Sequence, residues 1–120
     1  MSALREVGEE LIDEFKDIKI AVISEYDTIV KEAGELVETE NDGHAGEIET
    51  SRLLYLAPDL VKGRAKEEYP EFPAPFIARD KVKYWENGVW GNPQKATTEK
   101  GKKLIKVSVD KVVDIVKKMK

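Results

Sequence analysis

The sequence predicts an α/β chain of about four helices and few strands, with helix in excess of sheet. Three observations lead there. Apolar residues recur at helical spacing over most of the chain, one short β-branched run breaks that period, and 120 residues, 41% of them hydrophobic, suffice for a single domain over 1–120 with a buried core. The first segment sets Leu4, Val7, Leu11, Ile12 and Phe15 on one face of an amphipathic helix. Ile18-Lys19-Ile20-Ala21-Val22-Ile23 then reads as a parallel-sheet strand covered on both sides. Ile29, Val30, Ala33, Leu36 and Val37 restore the helical period from Asp27, and Asn41-Asp42-Gly43 closes that segment as a turn.

A further helix starts near Ala45 or Glu47 and stops at Pro58, whose ring cannot continue it. Residues 63–76 hold Pro70, Pro73 and Pro75 and form a long loop, of the kind that covers a site or meets a neighbour. Lys81 to Trp90, with Asn87-Gly88, reads as a short strand or hairpin. Thr97 or Thr98 caps a last helix that ends in lysines, as the helix dipole prefers. One strong strand is too little sheet for a self-contained α/β domain, so the sequence reads as part of a larger fold.

Twenty basic residues against twenty-four acidic ones give a net charge of −4, which offers no positive field for a nucleic acid backbone. No apolar run reaches the roughly 20 residues that span a bilayer, and the N-terminus lacks a secretory pattern, so a cytoplasmic protein without nucleic-acid or membrane partners is expected. The absence of cysteine leaves any metal to His, Asp or Glu.

The chemistry concentrates in two places. The single histidine, His44, stands in Asp42-Gly43-His44-Ala45-Gly46-Glu47-Ile48-Glu49, where it is poised for proton transfer and nearby glycines such as Gly46 would admit a substrate closely. A surface loop with a capping or solvated histidine is the plainer alternative. Glu47 and Glu49 are two apart and so point in different directions; either could ligate a cation, or both could serve the helix dipole. In the second cluster, Gly88-Val89-Trp90-Gly91-Asn92-Pro93, Trp90 would wall a pocket for a small planar ligand or plug the core.

Together, His44-Ala45-Gly46-Glu47-Ile48-Glu49-Thr50-Ser51, the following Leu53 to Val61, and Gly88 to Gly101 resemble the creatininase (creatinine amidohydrolase) family of metal-dependent amidohydrolases. The similarity takes in the opening helix and the Ile20 to Tyr26 stretch, and corresponds to the C-terminal half of the family only. It implies the C-terminal half of a three-layer α/β/α fold and hydrolysis of a cyclic amide or formamide C–N bond. It further implies that His44 shuttles a proton, that Glu49 supports it, and that Glu47 gives a carboxylate to a divalent metal, Zn or Mn. Trp90 and Gly46 would then border the substrate. The family's Glu-x-His segment, Asp and Asn-Gly-His motif have no counterpart here, which implies a truncated form lacking most metal ligands. The partners expected are a small-molecule amide and either further copies of the chain or a missing N-terminal half. The competing reading is an inactive fragment or paralogue that serves as a structural or interaction module.

Overall fold

The computed structural model of the chain describes residues 2–24 and 34–120. Among these, three α-helices stand out: α1 (Ser2–Glu14), α2 (Glu47–Leu56) and α3 (Thr98–Met119), with short 3₁₀ turns at Pro58–Leu60 and Pro93–Lys95. The start of α3 and the end of α2 follow from local chemistry. Thr97 has extended backbone and its hydroxyl accepts from Lys100 N at 3.1 Å, while Glu99 sits in the first turn and Lys117 and Lys118 in the last. Both charges suit the helix dipole. Pro58 ends α2 by opening a 3₁₀ turn.

The fold is organised by α2 against α3. Gly101 lets the two backbones meet, since a Cβ there would lie 1.9 Å from Ser51 O. Leu104, only 1% exposed, fills the contact one turn further on, with Leu36, Val37 and Ile48 packed around it. Ser51 Oγ accepts from Thr97 N at 3.1 Å and Arg52 Nη2 donates to Ser108 Oγ at 3.3 Å, so the seam is stitched at both ends.

Two expectations about strands are corrected. Ile18–Ile23 is irregular and makes no strand ladder among the described residues; instead Ile20 and Val22 lie against Gly8 of α1. A β-branched run becomes a strand only where neighbouring strands accept its hydrogen bonds, and the described residues supply none. The hairpin over 81–90 is replaced by turns, and the β pairing there is long-range: isolated antiparallel bridges join His44 to Trp90 and Glu68 to Gly91. The 63–76 segment is irregular apart from that one bridge. Of the helix expected from Asp27, residues 27–33 lie outside the described residues, and Gly34–Leu36 form a turn.

The chain is open. Its radius of gyration is 17.6 Å where about 14 Å is usual for this length, and it exposes 9211 Å² where about 6,600 Å² is usual for this mass. Leu4, Val7 and Ile12 of α1, Phe15 just after it, and Val109, Val113 and Val116 of α3 stand in solvent.

Candidate functional site

The loop that precedes α2 is held from inside. The first-turn N–H groups of a helix have no intrahelical partner, and here Asp42 meets two of them, its carboxylate accepting from Glu47 N at 2.7 Å and Ile48 N at 2.8 Å. The carboxylate fits because Gly46 and Gly91 leave it room: a Cβ on either would approach Asp42 Oδ1 to about 2 Å. Burial pushes the Asp42 carboxyl above its ordinary value, more than the two backbone donors lower it, and the charges of Glu47 and Glu49 push the same way.

His44 stands at the tip of this loop. Its backbone pairs with Trp90, N–H to O at 3.0 Å and O from N–H at 2.7 Å. Ala45 follows with φ of 49°, a left-handed turn that starts the chain into α2, and its N–H donates to Glu49 Oε2 at 2.5 Å. The same oxygen lies 3.7 Å from His44 Nδ1, too far for a hydrogen bond but close enough to attract an imidazolium; both side chains are more than half exposed. The ring meets Trp85 edge-on at 5.6 Å, and Trp85 meets Trp90 at 6.4 Å and Phe72 at 6.1 Å in the same manner. Trp85 is fixed in turn, its indole N–H donating to Val89 O at 2.6 Å. Glu68 steadies the turn beyond, accepting from Glu86 N and Asn87 N. Behind Glu49 a cavity of about 350 Å³ lies among Ala45, Leu53, Val61, Arg64 and Val89, within the size range of small-ligand pockets.

Glu47 belongs to a different place. Its side chain is 0% exposed, and its two oxygens accept from Glu38 N, from Thr39 N at 2.8 Å, from Thr39 Oγ1 at 2.6 Å and from Lys100 Nζ at 2.5 Å. Burial would raise this carboxyl, but the donors together, Lys100 first, hold it below its ordinary value. Lys100, also losing water, is nonetheless held above its own ordinary value by Glu38 and Glu47.

The structure therefore gathers His44, Glu49 and Trp90, with Gly46 as the buried hinge behind them, and turns Glu47 to the opposite face of α2. The donor set offers little to a divalent cation. Glu47 is taken up by protein donors on both oxygens, one of them an ammonium, and no group of three or more His, Asp or Glu converges elsewhere among the described residues. These residues do not fit a metal site on their own. Asp42, Trp85 and Lys100 complete the arrangement without having been singled out from the sequence; of these only Asp42, a short acid just ahead of a helix, carries a local signal.

The sequence model of the family Creatininase, described as creatinine amidohydrolase, matches residues 1–116. The chain belongs to the creatininase family. Solved structures agree on the fold. A creatininase with Mn shares 27% identity at a TM-score of 0.72, covering 97% of this chain and 48% of that one. A mutant creatininase complexed with creatine gives 26% and 0.72 over the same shares. A protein from Bacteroides fragilis NCTC 9343, provisionally assigned as a creatinine amidohydrolase, gives 28% and 0.69, covering 92% of this chain and 47% of its own. The chain thus spans about half the length of the structures it matches. No curated protein sequence matches it.

Proposed function

We propose that this creatininase-family chain carries the proton-handling part of an amidohydrolase site, acting on a cyclic amide or formamide C–N bond. The observation that carries the reading is the grouping of the only histidine with Glu49 one turn along and an aromatic wall of Trp85 and Trp90. With Nδ1 toward Glu49, Nε2 is the nitrogen left for the reaction. It takes a proton from water as the water oxygen bonds to the amide carbon, and returns it to the nitrogen that leaves. Glu49 favours the imidazolium formed between the two transfers. Trp90 borders the amide, and Gly46 serves the site from behind by leaving room for the Asp42 carboxylate that holds the loop. A divalent metal in this family would be held by residues other than Glu47, whose oxygens are taken up by Thr39 and Lys100.

The uncovered faces of α1 and α3 support a further part of the reading: further copies of the chain, or an N-terminal half of the family's fold, cover them and complete a three-layer arrangement. The same open surface and the lack of a metal donor set among the described residues favour, as a second reading, a module that binds partners and performs no chemistry. Hydrolysis of creatinine and of a formamide, followed by NMR with and without added Mn²⁺, decides between them. Turnover that His44→Ala abolishes, with circular dichroism unchanged, is the expected result; turnover that survives His44→Ala, or none at all, overturns the catalytic reading.

A further inference from the structure

The three segments that surround His44 are tied together at one ammonium group. Lys100 Nζ donates to Glu47 Oε1 at 2.5 Å, to Glu38 Oε1 at 2.6 Å and to the carbonyl of Lys95 at 3.0 Å. Glu38 opens the loop that bears His44, Glu47 ends it as the first residue of α2, and Lys95 closes the 3₁₀ turn that follows Trp90 and Gly91. Thr39 adds a second clasp at the base of the loop through its N–H and hydroxyl on Glu47. Both strands of the His44 and Trp90 bridge are thereby fixed to α3 a few residues from the bridge itself. A carboxylate with no exposure is costly to bury, and the cost is met only with a partner and full hydrogen bonding. Glu47 has both.

We infer that Glu47 and Lys100 are positioning residues: by clamping the base of the 38–47 loop and the 90–95 segment to α3, the pair sets where the His44 ring stands against Trp85 and Glu49. The inference rests on the reading of His44 as the proton-handling group, and it assigns Glu47 to holding the loop instead of ligating a metal.

His44 is the only histidine, so its ring protons give one unambiguous pair of NMR signals, shifted by the Trp85 ring beside them. The experiment compares these signals and their Overhauser contacts with Trp85 in the wild-type chain, Lys100→Met, Glu47→Gln and Lys100→Arg, with the Leu104 methyls as the internal check of fold. In Lys100→Met the contacts to Trp85 are expected to disappear and both ring-proton shifts to move to those of an unfolded-peptide histidine. Glu47→Gln, which keeps its shape and Thr39 partners, is expected to show a partial move, and Lys100→Arg to restore the contacts. Folded variants with lower melting temperature and unchanged His44 contacts overturn the inference, since a merely structural pair would behave so. If Lys100→Met does not fold, unchanged contacts in Glu47→Gln overturn it and a shift in that variant upholds it. None of these readouts uses hydrolysis, so an inactive wild-type chain would sink the proposed function and leave this test standing.

Discussion

Glu47 and Glu49 are two residues apart on one helical turn and live in unlike surroundings. Glu47 is sealed from water, with hydrogen bonds to Glu38, Thr39 and Lys100, whereas Glu49 is mostly exposed and accepts one backbone N–H while facing His44. A helix turns about 100° per residue, so a spacing of two sends one side chain inward to α3 and the other outward to the loop. Burial and exposure then divide the labour. The sealed face fixes geometry through interactions too costly to break, and the open face keeps a titratable pair where a ligand can reach it.

Substitutions on the sealed face should cost most. Lys100→Met strands the Glu47 charge in the interior and should lower stability by about 3–5 kcal/mol in urea unfolding. Leu104→Ala removes the one large apolar side chain fully buried among the described residues and should cost about 2–5 kcal/mol by the same measurement. Gly101→Ala drives a methyl into the Ser51 carbonyl and forces α2 from α3, an overpacking cost of about 1–3 kcal/mol. On the open face, His44→Ala should change stability by no more than about 0.5 kcal/mol while removing hydrolysis. A stability loss on the scale of Lys100→Met at His44 would erase the distinction between the faces.

Acid sharpens the same contrast. The Glu47 carboxyl is held below the 4.5 of an unfolded glutamate, so its contribution is complete above that value and is lost as pH falls through its lower folded value. Asp42 is shifted the other way, above 3.8, so its ionisation opposes folding above its folded value and that opposition is relieved as pH falls through it. Urea unfolding of wild type and Glu47→Gln between about pH 7 and about pH 3 should show the wild-type advantage shrinking on acidification. An advantage that stays constant would mean that Glu47 titrates alike in the folded and unfolded chain, and one that grows on acidification would mean that its carboxyl is neutral when folded.

Periodicity and capping made much of this legible. The bounds of α2 and the Thr97 start of α3 are written in local residues, and the spacing of Glu47 and Glu49 already forbids a shared role. The Ile18–Ile23 run shows what local sequence lacks: its residues favour a strand, but a strand is a relation to another segment. The clamp escaped for a related reason, because Lys100 and Glu47 lie 53 positions apart and no spacing rule connects them. Trp85 escaped because its neighbours, Phe72, His44 and Trp90, come together only once the loops have folded.

The aromatic corner has an optical consequence. Trp85 and Trp90 are the only indoles in the chain, and they sit in mutual contact beside the histidine. Tryptophan fluorescence from this protein therefore comes wholly from that corner, unlabelled and undiluted. A small molecule entering beside Trp90 would change the colour or brightness of that emission, whereas an event confined to α1 would leave the emission as it was.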